Sequence, residues 1–219
     1  MSIRNDHIQR PDAAPRIGPN AVLQTLRALR ELEGAEAEER TLTRAELPGH
    51  WQEGQGMIPE AWFVRLVSAL RGCLPSPRAV AVLRRAGHYT AEYVGRRRIP
   101  RLFRILLAIV PARLGLPLLI VAFRRHAWTF AGAGRFDFEG RFPGTLLLDG
   151  CPTCRDGAGQ VSGGAGAYYE AAFQELLRLG ARDALVREVD CQGRGARLCR
   201  FQVSLTTHPP VAAPAGVQP

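Results

Sequence analysis

Four of the chain's five cysteines fall in its last third, at Cys151, Cys154, Cys191 and Cys199. Cys151 and Cys154 form a C-x2-C pair. Cys191 and Cys199 flank a Gly-rich turn, Gln192-Gly-Arg-Gly-Ala-Arg197, and Glu188 lies three residues before Cys191. Thiolates are the preferred ligands of tetrahedral zinc, and a carboxylate can complete such a set. The residues Val186-Arg-Glu-Val-Asp-Cys191 and Leu198-Cys199-Arg-Phe-Gln-Val203 alternate around the turn, which predicts a β-hairpin. A hairpin of this kind brings Glu188, Cys191 and Cys199 near one another, and Cys151 and Cys154 are the thiols that could close the site. The competing reading is that Cys191 and Cys199 are buried thiols that only pack, a common use of cysteine.

A second stretch invites a cofactor reading. Gly157-Ala-Gly159-Gln-Val-Ser-Gly163 gives G-x-G-x-x-x-G before a helix. Its context argues for a loop, because no βαβ unit continues from it and the next element is the hairpin. No catalytic triad signature, H-E-x-x-H or P-loop is present, and no pair of carboxylates is spaced for acid–base work. All 29 basic residues are arginine, so lysine Schiff-base chemistry and a lysine-bearing phosphate loop are excluded. The net charge of +9 has a compositional explanation, a GC-rich genome, and a functional one, an acidic partner. No nucleic-acid-reading motif accompanies it. An odd cysteine count without a signal-peptide pattern argues for a reducing, cytoplasmic setting and against a disulfide framework.

The hairpin, E-V-D-C-x7-C-R-F-x-V, resembles the closing hairpin of the 4-vinyl reductase domain family of small ligand-binding domains. Three upstream segments extend the likeness to the bacteriochlorophyll 4-vinyl reductase branch: Arg16-Ile-Gly-Pro-Asn20, Arg98-Ile-Pro-Arg101 and His126-Ala-Trp-Thr-Phe-Ala-Gly132. Together they span roughly residues 15 to 204. The resemblance implies a part in bacteriochlorophyll biosynthesis, at reduction of the C8 vinyl group of divinyl (proto)chlorophyllide. It also exposes a departure. Zinc-binding members carry a cysteine just before the helix that precedes the hairpin, where this chain has Ser162-Gly-Gly-Ala-Gly166. Either Cys151 and Cys154 reach back through the loop, or the site is lost.

Given that resemblance, His126 and His88 are the imidazoles that could ligate the magnesium of a tetrapyrrole or donate a proton. Trp62, Trp128, Phe130 and Tyr93 could line a flat apolar pocket. The same residues also read as ordinary core, and His50 beside Trp51 has no supporting context. Reducing a vinyl group needs a hydride or electron source. The sequence therefore reads as a carrier or accessory factor for a magnesium tetrapyrrole. NADPH enters only if the chain is itself the reductase, and a sensor or scaffold for a small aromatic or lipid is a third class.

The elements that must position these residues follow from periodicity. Val22, Leu26 and Leu29 predict an amphipathic helix over 19–33. Ile58 to Leu70 and Pro77 to Val94 read as two more helices, the latter with a narrow side at Val80, Leu83, Gly87 and Ala91. Ala35 to Arg44 is acidic and mixed, with no element assigned. The apolar stretch 105–123 is interrupted at Pro111, Arg113, Gly115 and Pro117, so it reads as two short buried or interfacial helices broken from Pro111 to Pro117, short of the ~20 residues of a membrane span. Peripheral contact with a photosynthetic membrane, with Arg96, Arg97, Arg98, Arg101 and Arg104 at the headgroups, competes with a solvated helix face. Trp128, Phe130, Phe136 and Phe138 read as strands bent at Gly132 and Gly134. Thr145 to Leu148 reads as a buried strand and Ala167 to Leu179 as a helix. The fold expected is α+β: an arm (1–15), a helical region (16–125), a ligand-binding unit with antiparallel sheet and C-terminal hairpin (126–205), and a disordered Pro/Ala tail (206–219). Family relatives imply a homodimer, for which 105–123 is a candidate surface, and contacts with other pigment-biosynthesis enzymes.

Overall fold

The computed structural model describes residues 14–48, 56–141, 143–155, 164 and 166–206. The greater part of the N-terminal arm, the tail from 207, His50, Trp51 and the run 157–163 lie outside the described residues.

The first half is helical. A two-residue strand β1 (Arg16–Ile17) leads into α1 (Asn20–Glu33) and α2 (Ala35–Arg44). Strand β2 (Ile58–Pro59) pairs antiparallel with β1, and α3 (Glu60–Cys73) and α4 (Ser76–Arg97) follow. Val22, Leu26 and Leu29 are buried, as their spacing predicted. The mixed segment from Ala35 is a regular helix as well. Its polar face is held by an i,i+4 ion pair, Arg40 to Glu36 at 2.6 Å, and its apolar Ala37 and Leu42 turn inward.

The apolar stretch forms α5 (Arg101–Ile109) and α6 (Ala112–His126). The break lies at Val110 and Pro111 alone. The expected interruption through Pro117 does not occur: Pro117 sits within α6, exposed. Proline there removes one helical hydrogen bond, that to the carbonyl of Arg113. Arg113 is exposed, so solvent can satisfy that carbonyl.

A second correction concerns Trp128 and Phe130. They belong to a single helical turn, α7 (Trp128–Ala131), not to a strand. The amides of Phe130 and Ala131 both donate to the carbonyl of Ala127, and the Thr129 hydroxyl donates to that of His126. The alternation of aromatic residues imitated a strand period, but the chain is still coiling out of α6. Gly132, at φ +59, ends the turn.

Strand β3 (Arg135–Glu139) then carries Phe136 and Phe138, followed by β4 (Thr145–Asp149), α8 (Ala167–Leu177), β5 (Ala184–Asp190) and β6 (Cys199–Leu205). These strands make an antiparallel sheet in the order β3-β4-β6-β5. The connection through α8 therefore places the hairpin strand β6 directly against β4. One continuous core runs from Ile17 in the helical half to Val203 in the sheet. Its seam is the close approach of α4 to α8. A Cβ on Gly87 would stand 2.2 Å from the carbonyl oxygen of Tyr168, so only glycine admits this approach. Phe136, Phe173, Phe130 and Phe123 stack in mutual tilted and edge contacts between the sheet and α6–α8.

Candidate metal centre

The sheet order delivers the four thiols to one place. Cys151 and Cys154 lie just beyond the end of β4, in a turn closed by a 3-10 segment, Pro152–Cys154. Cys191 follows the end of β5, and Cys199 opens β6, where it pairs in register with Leu148 of β4. The Cys154 sulfur lies 3.6 Å from that of Cys191 and 3.5 Å from that of Cys199. Tetrahedral zinc with Zn–S bonds near 2.3 Å separates its sulfurs by about 3.8 Å. The observed spacings are within a few tenths of that edge. Cys151 joins Cys154 and Cys199 within 4.8 Å, and Glu188 joins Cys191 and Cys199 within the same limit. Cys154, Cys191 and Cys199 thus form a triangle, with Cys151 and Glu188 as the flanking donors for a fourth position.

The C-x2-C pair reaches the hairpin thiols across the β4–β6 pairing and needs no excursion through the Gly-rich loop.

A β-bulge explains how Glu188 joins the site. Residues three apart in a regular strand point to opposite faces. The pairing of β5 with β6 shifts between Glu188 and Asp190, so Val189 is an extra residue. One added residue restores Glu188 and Cys191 to the same side. The Glu188 side chain is 5% exposed and accepts from Arg194 at 3.2 Å through Oε2. Its other oxygen, Oε1, is buried with no hydrogen-bond partner. A Cβ on Gly166 would lie 2.0 Å from that oxygen, so a larger residue there would push the carboxylate out of its place under the start of α8. A buried carboxylate oxygen beside the sulfurs of Cys191 and Cys199 is a donor set that could take a cation.

Several residues that the sequence reading missed hold the two turns. Gln192 is the main one. Its Oε1 accepts from the backbone N–H of Cys151 at 2.9 Å, and its Nε2 donates to Asp149 and to the carbonyl of Arg197. Its own N–H donates to the Cys199 sulfur at 3.3 Å. Amide donors to sulfur stabilise the thiolate form. Arg155, next to Cys154, donates to the carbonyl of Gly150 at 2.6 Å and pairs with the buried Glu60 of α3 at 2.9 Å. Glu60 also accepts from the Ala133 N–H, which ties the Cys151–Cys154 turn to the Gly132 bend. Position next to a cysteine was the only sequence signal for Gln192 and Arg155, and Glu60 gave none.

The electrostatics are those of crowded thiols. Hydrogen bonds from Cys151, Cys191 and Cys199 hold the Cys154 thiol well below its ordinary range. Burial pushes Cys151 well up. Contact with Cys154 pushes Cys191 up to about 12, and contacts with Cys151 and its neighbours raise Cys199. Burial also raises Glu188. A divalent cation among the sulfurs would favour their thiolate forms.

The other singled-out residues lie on separate elements. His88, half-buried on α4, places Nδ1 3.3 Å from Glu175 of α8. His126 is exposed at the end of α6. Trp62 on α3 and Phe130 on α7 are partly buried and pack against the core, and the Phe130 carbonyl accepts from Tyr169 at 2.7 Å. Trp128 lies in α7. Tyr93 is half-buried on α4.

No family model matches the chain. In fold it is similar to an Fe(II) unliganded H-NOX protein from K. algicida, with TM-score 0.58 at 11% identity over 87% of this chain and 97% of that one. In sequence it is similar to the bacteriochlorophyll synthase 23 kDa chain of Cereibacter sphaeroides, 37% identical over 195 residues, 88% of this chain and 92% of that protein. The corresponding Rhodobacter capsulatus protein is 33% identical over 192 residues, 87% of each chain. With the upstream segments and the closing hairpin in their expected order, the chain belongs to the family of bacteriochlorophyll synthase 23 kDa chains, the bacteriochlorophyll 4-vinyl reductase branch that its motifs resemble.

Proposed function

We propose that this protein acts in bacteriochlorophyll biosynthesis as a zinc-stabilised carrier that binds a magnesium tetrapyrrole and presents it for reduction of its C8 vinyl group. Near full-length similarity to two bacteriochlorophyll synthase 23 kDa chains carries the pathway assignment. The sulfur spacing and the orphaned Glu188 oxygen support the zinc. Cys151, Cys154, Cys191 and Cys199 would hold it, with Glu188 as the competing fourth ligand to Cys151. A zinc there has a structural role: it clamps the end of β4 to both strands of the hairpin, and metal binding contributes directly to folding. His126, exposed where α6 ends, is the imidazole offered to a pigment magnesium, whereas His88 is engaged with Glu175.

An absorbance titration with divinyl chlorophyllide, with and without NADPH, tests the carrier reading. Saturable spectral change without loss of the vinyl signature is expected, weakened about tenfold or more in His126→Ala, as loss of a ligand bond implies. Turnover with NADPH would replace the carrier by the reductase, and absence of any spectral change would refute pigment binding. Elemental analysis should give one zinc per chain, lost in Cys199→Ser. Cobalt substitution separates the ligand sets, since the intensity of sulfur-to-cobalt charge transfer rises with the number of thiolates. Loss of intensity in Cys151→Ser with none in Glu188→Gln identifies four cysteines.

A further inference from the structure

The α5–α6 pair carries two apolar faces, and the core uses one of them. Leu107 of α5 and Leu116, Leu119, Ile120 and Phe123 of α6 are buried. Leu107 and Leu116 seat on Gly180, at the turn between α8 and β5, and Gly115 lets Leu107 approach α6. The opposite faces stand in solvent. On α5, Leu102 is 81% exposed, Ile105 57%, Leu106 41% and Ile109 74%, a stripe at i, i+3, i+4 and i+7. On α6, Leu114, Leu118 and Val121 repeat the pattern at i, i+4 and i+7, all exposed. Isolated exposed leucines need no explanation, but two such stripes, seven residues on consecutive helices, do.

Charge says what covers it. From Tyr93 to Phe136 the chain carries nine arginines and no aspartate or glutamate. Arg96 pairs with Glu92, and Arg124 with Asp137. Arg97, Arg98 and Arg101 are exposed where α5 begins, as are Arg113 at the start of α6 and Arg125 at its end. Apolar stripes framed by arginines whose long stems can reach headgroups are the pattern of an interfacial helix pair. Neither helix is long and apolar enough to cross a membrane. A symmetric contact between two copies would set this acid-free arginine frame against itself, at an electrostatic cost.

We propose that the outer face of α5 and α6 docks on an anionic lipid bilayer, with Leu102, Ile105, Ile109, Leu114, Leu118 and Val121 in the acyl boundary and Arg97, Arg98, Arg101, Arg113 and Arg125 at the headgroups. The surface would hold the protein where an apolar ligand could pass between membrane and protein. It stands independently of pigment binding and of the metal.

Co-sedimentation of the full chain with vesicles of equal parts phosphatidylcholine and phosphatidylglycerol tests it, against vesicles of phosphatidylcholine alone. The wild type should partition to the anionic vesicles and be released by salt. Neutralising Arg97, Arg98 and Arg101 to glutamine should weaken partitioning by about a hundredfold, roughly fivefold per arginine. Leu102→Asp with Ile109→Asp should abolish it without lowering the melting temperature, since both side chains are exposed; should that variant prove unfolded, the arginine variant carries the test. Failure of the wild type to bind, or equal binding to both vesicles unaffected by the arginine changes, overturns the proposal. So does a wild-type dimer in sedimentation velocity that Leu102→Asp with Ile109→Asp converts to monomer, because the occupant is then a second copy.

Discussion

Two glycines of α4 should respond to the same substitution with opposite signs. Gly87 faces α8. A Cβ there would meet the Tyr168 carbonyl oxygen at 2.2 Å, the Tyr168 carbonyl carbon at 3.1 Å and the Ala171 Cβ at 3.0 Å. The nearest of these is backbone, which cannot rotate away, so α4 and α8 must part by about 1 Å to restore ordinary contact. That seam buries Val82, Leu83 and Ala86 on one side and Tyr168, Tyr169 and Ala172 on the other. Overpacking of this kind costs about 1–3 kcal/mol, and losing contacts along a parted seam adds to it. The better helix propensity of alanine returns only about 0.5–1 kcal/mol. Gly87→Ala should therefore destabilise by about 1–3 kcal/mol net. Gly95 lies two turns further along the same helix, where a Cβ would meet only Leu179 Cδ1, at 3.9 Å. Gly95→Ala gains the propensity without the clash and should stabilise by about 0.5 kcal/mol, less than the full value because the helix ends at Arg97. Urea denaturation of both variants measures the difference directly. In thermal melts, Gly87→Ala should fall by roughly 2–4 °C per kcal/mol for a chain of this size. Equal signs for the two variants, or a neutral Gly87→Ala, would refute the close α4–α8 packing.

Glu60→Gln keeps an acceptor for the Ala133 N–H but leaves Arg155 without its charge partner. Because the arginine side chain is 39% exposed, solvent screens part of the loss, and about 1–2 kcal/mol of destabilisation is expected in urea melts. Gln192→Ala removes the bridge between the two cysteine turns and, for the zinc proposed above, should speed its transfer to a chelator about 10-fold or more, while the chain stays folded. Tyr168 and Tyr169 are buried, and burial raises both phenols above the ordinary value of 10.0. The folded state holds those protons while the unfolded state releases them, so the tyrosines' contribution to stability should be level below pH 10.0 and fall above it, with both tyrosines resisting ionisation until the chain unfolds. A urea midpoint that rises across that range would refute the buried placement.

The sequence alone determined the local elements wherever side-chain periodicity had one reading. The stripe Val22, Leu26 and Leu29 could only be a helix buried on that side. The turn between Cys191 and Cys199, flanked by alternating residues, could only be a hairpin, and the α+β class and the family followed from such segments. Where two periods fitted, local pattern failed: Trp128 and Phe130 looked like strand, yet the coil running out of α6 captured them. Tertiary structure decided the rest. Cys151 and Cys154 reach Cys199 because β6 inserts beside β4, a pairing of residues about fifty apart that no local signal encodes. Glu188 shares a side with Cys191 because of one bulged residue, and a bulge is invisible in a pattern of residue types. Hydropathy marked 105–123 as apolar but could not divide it into a face for the core and a face for solvent. That division depends on which side of α5 and α6 meets Gly180, and burial is a property of the neighbours a side chain meets, not of the side chain itself.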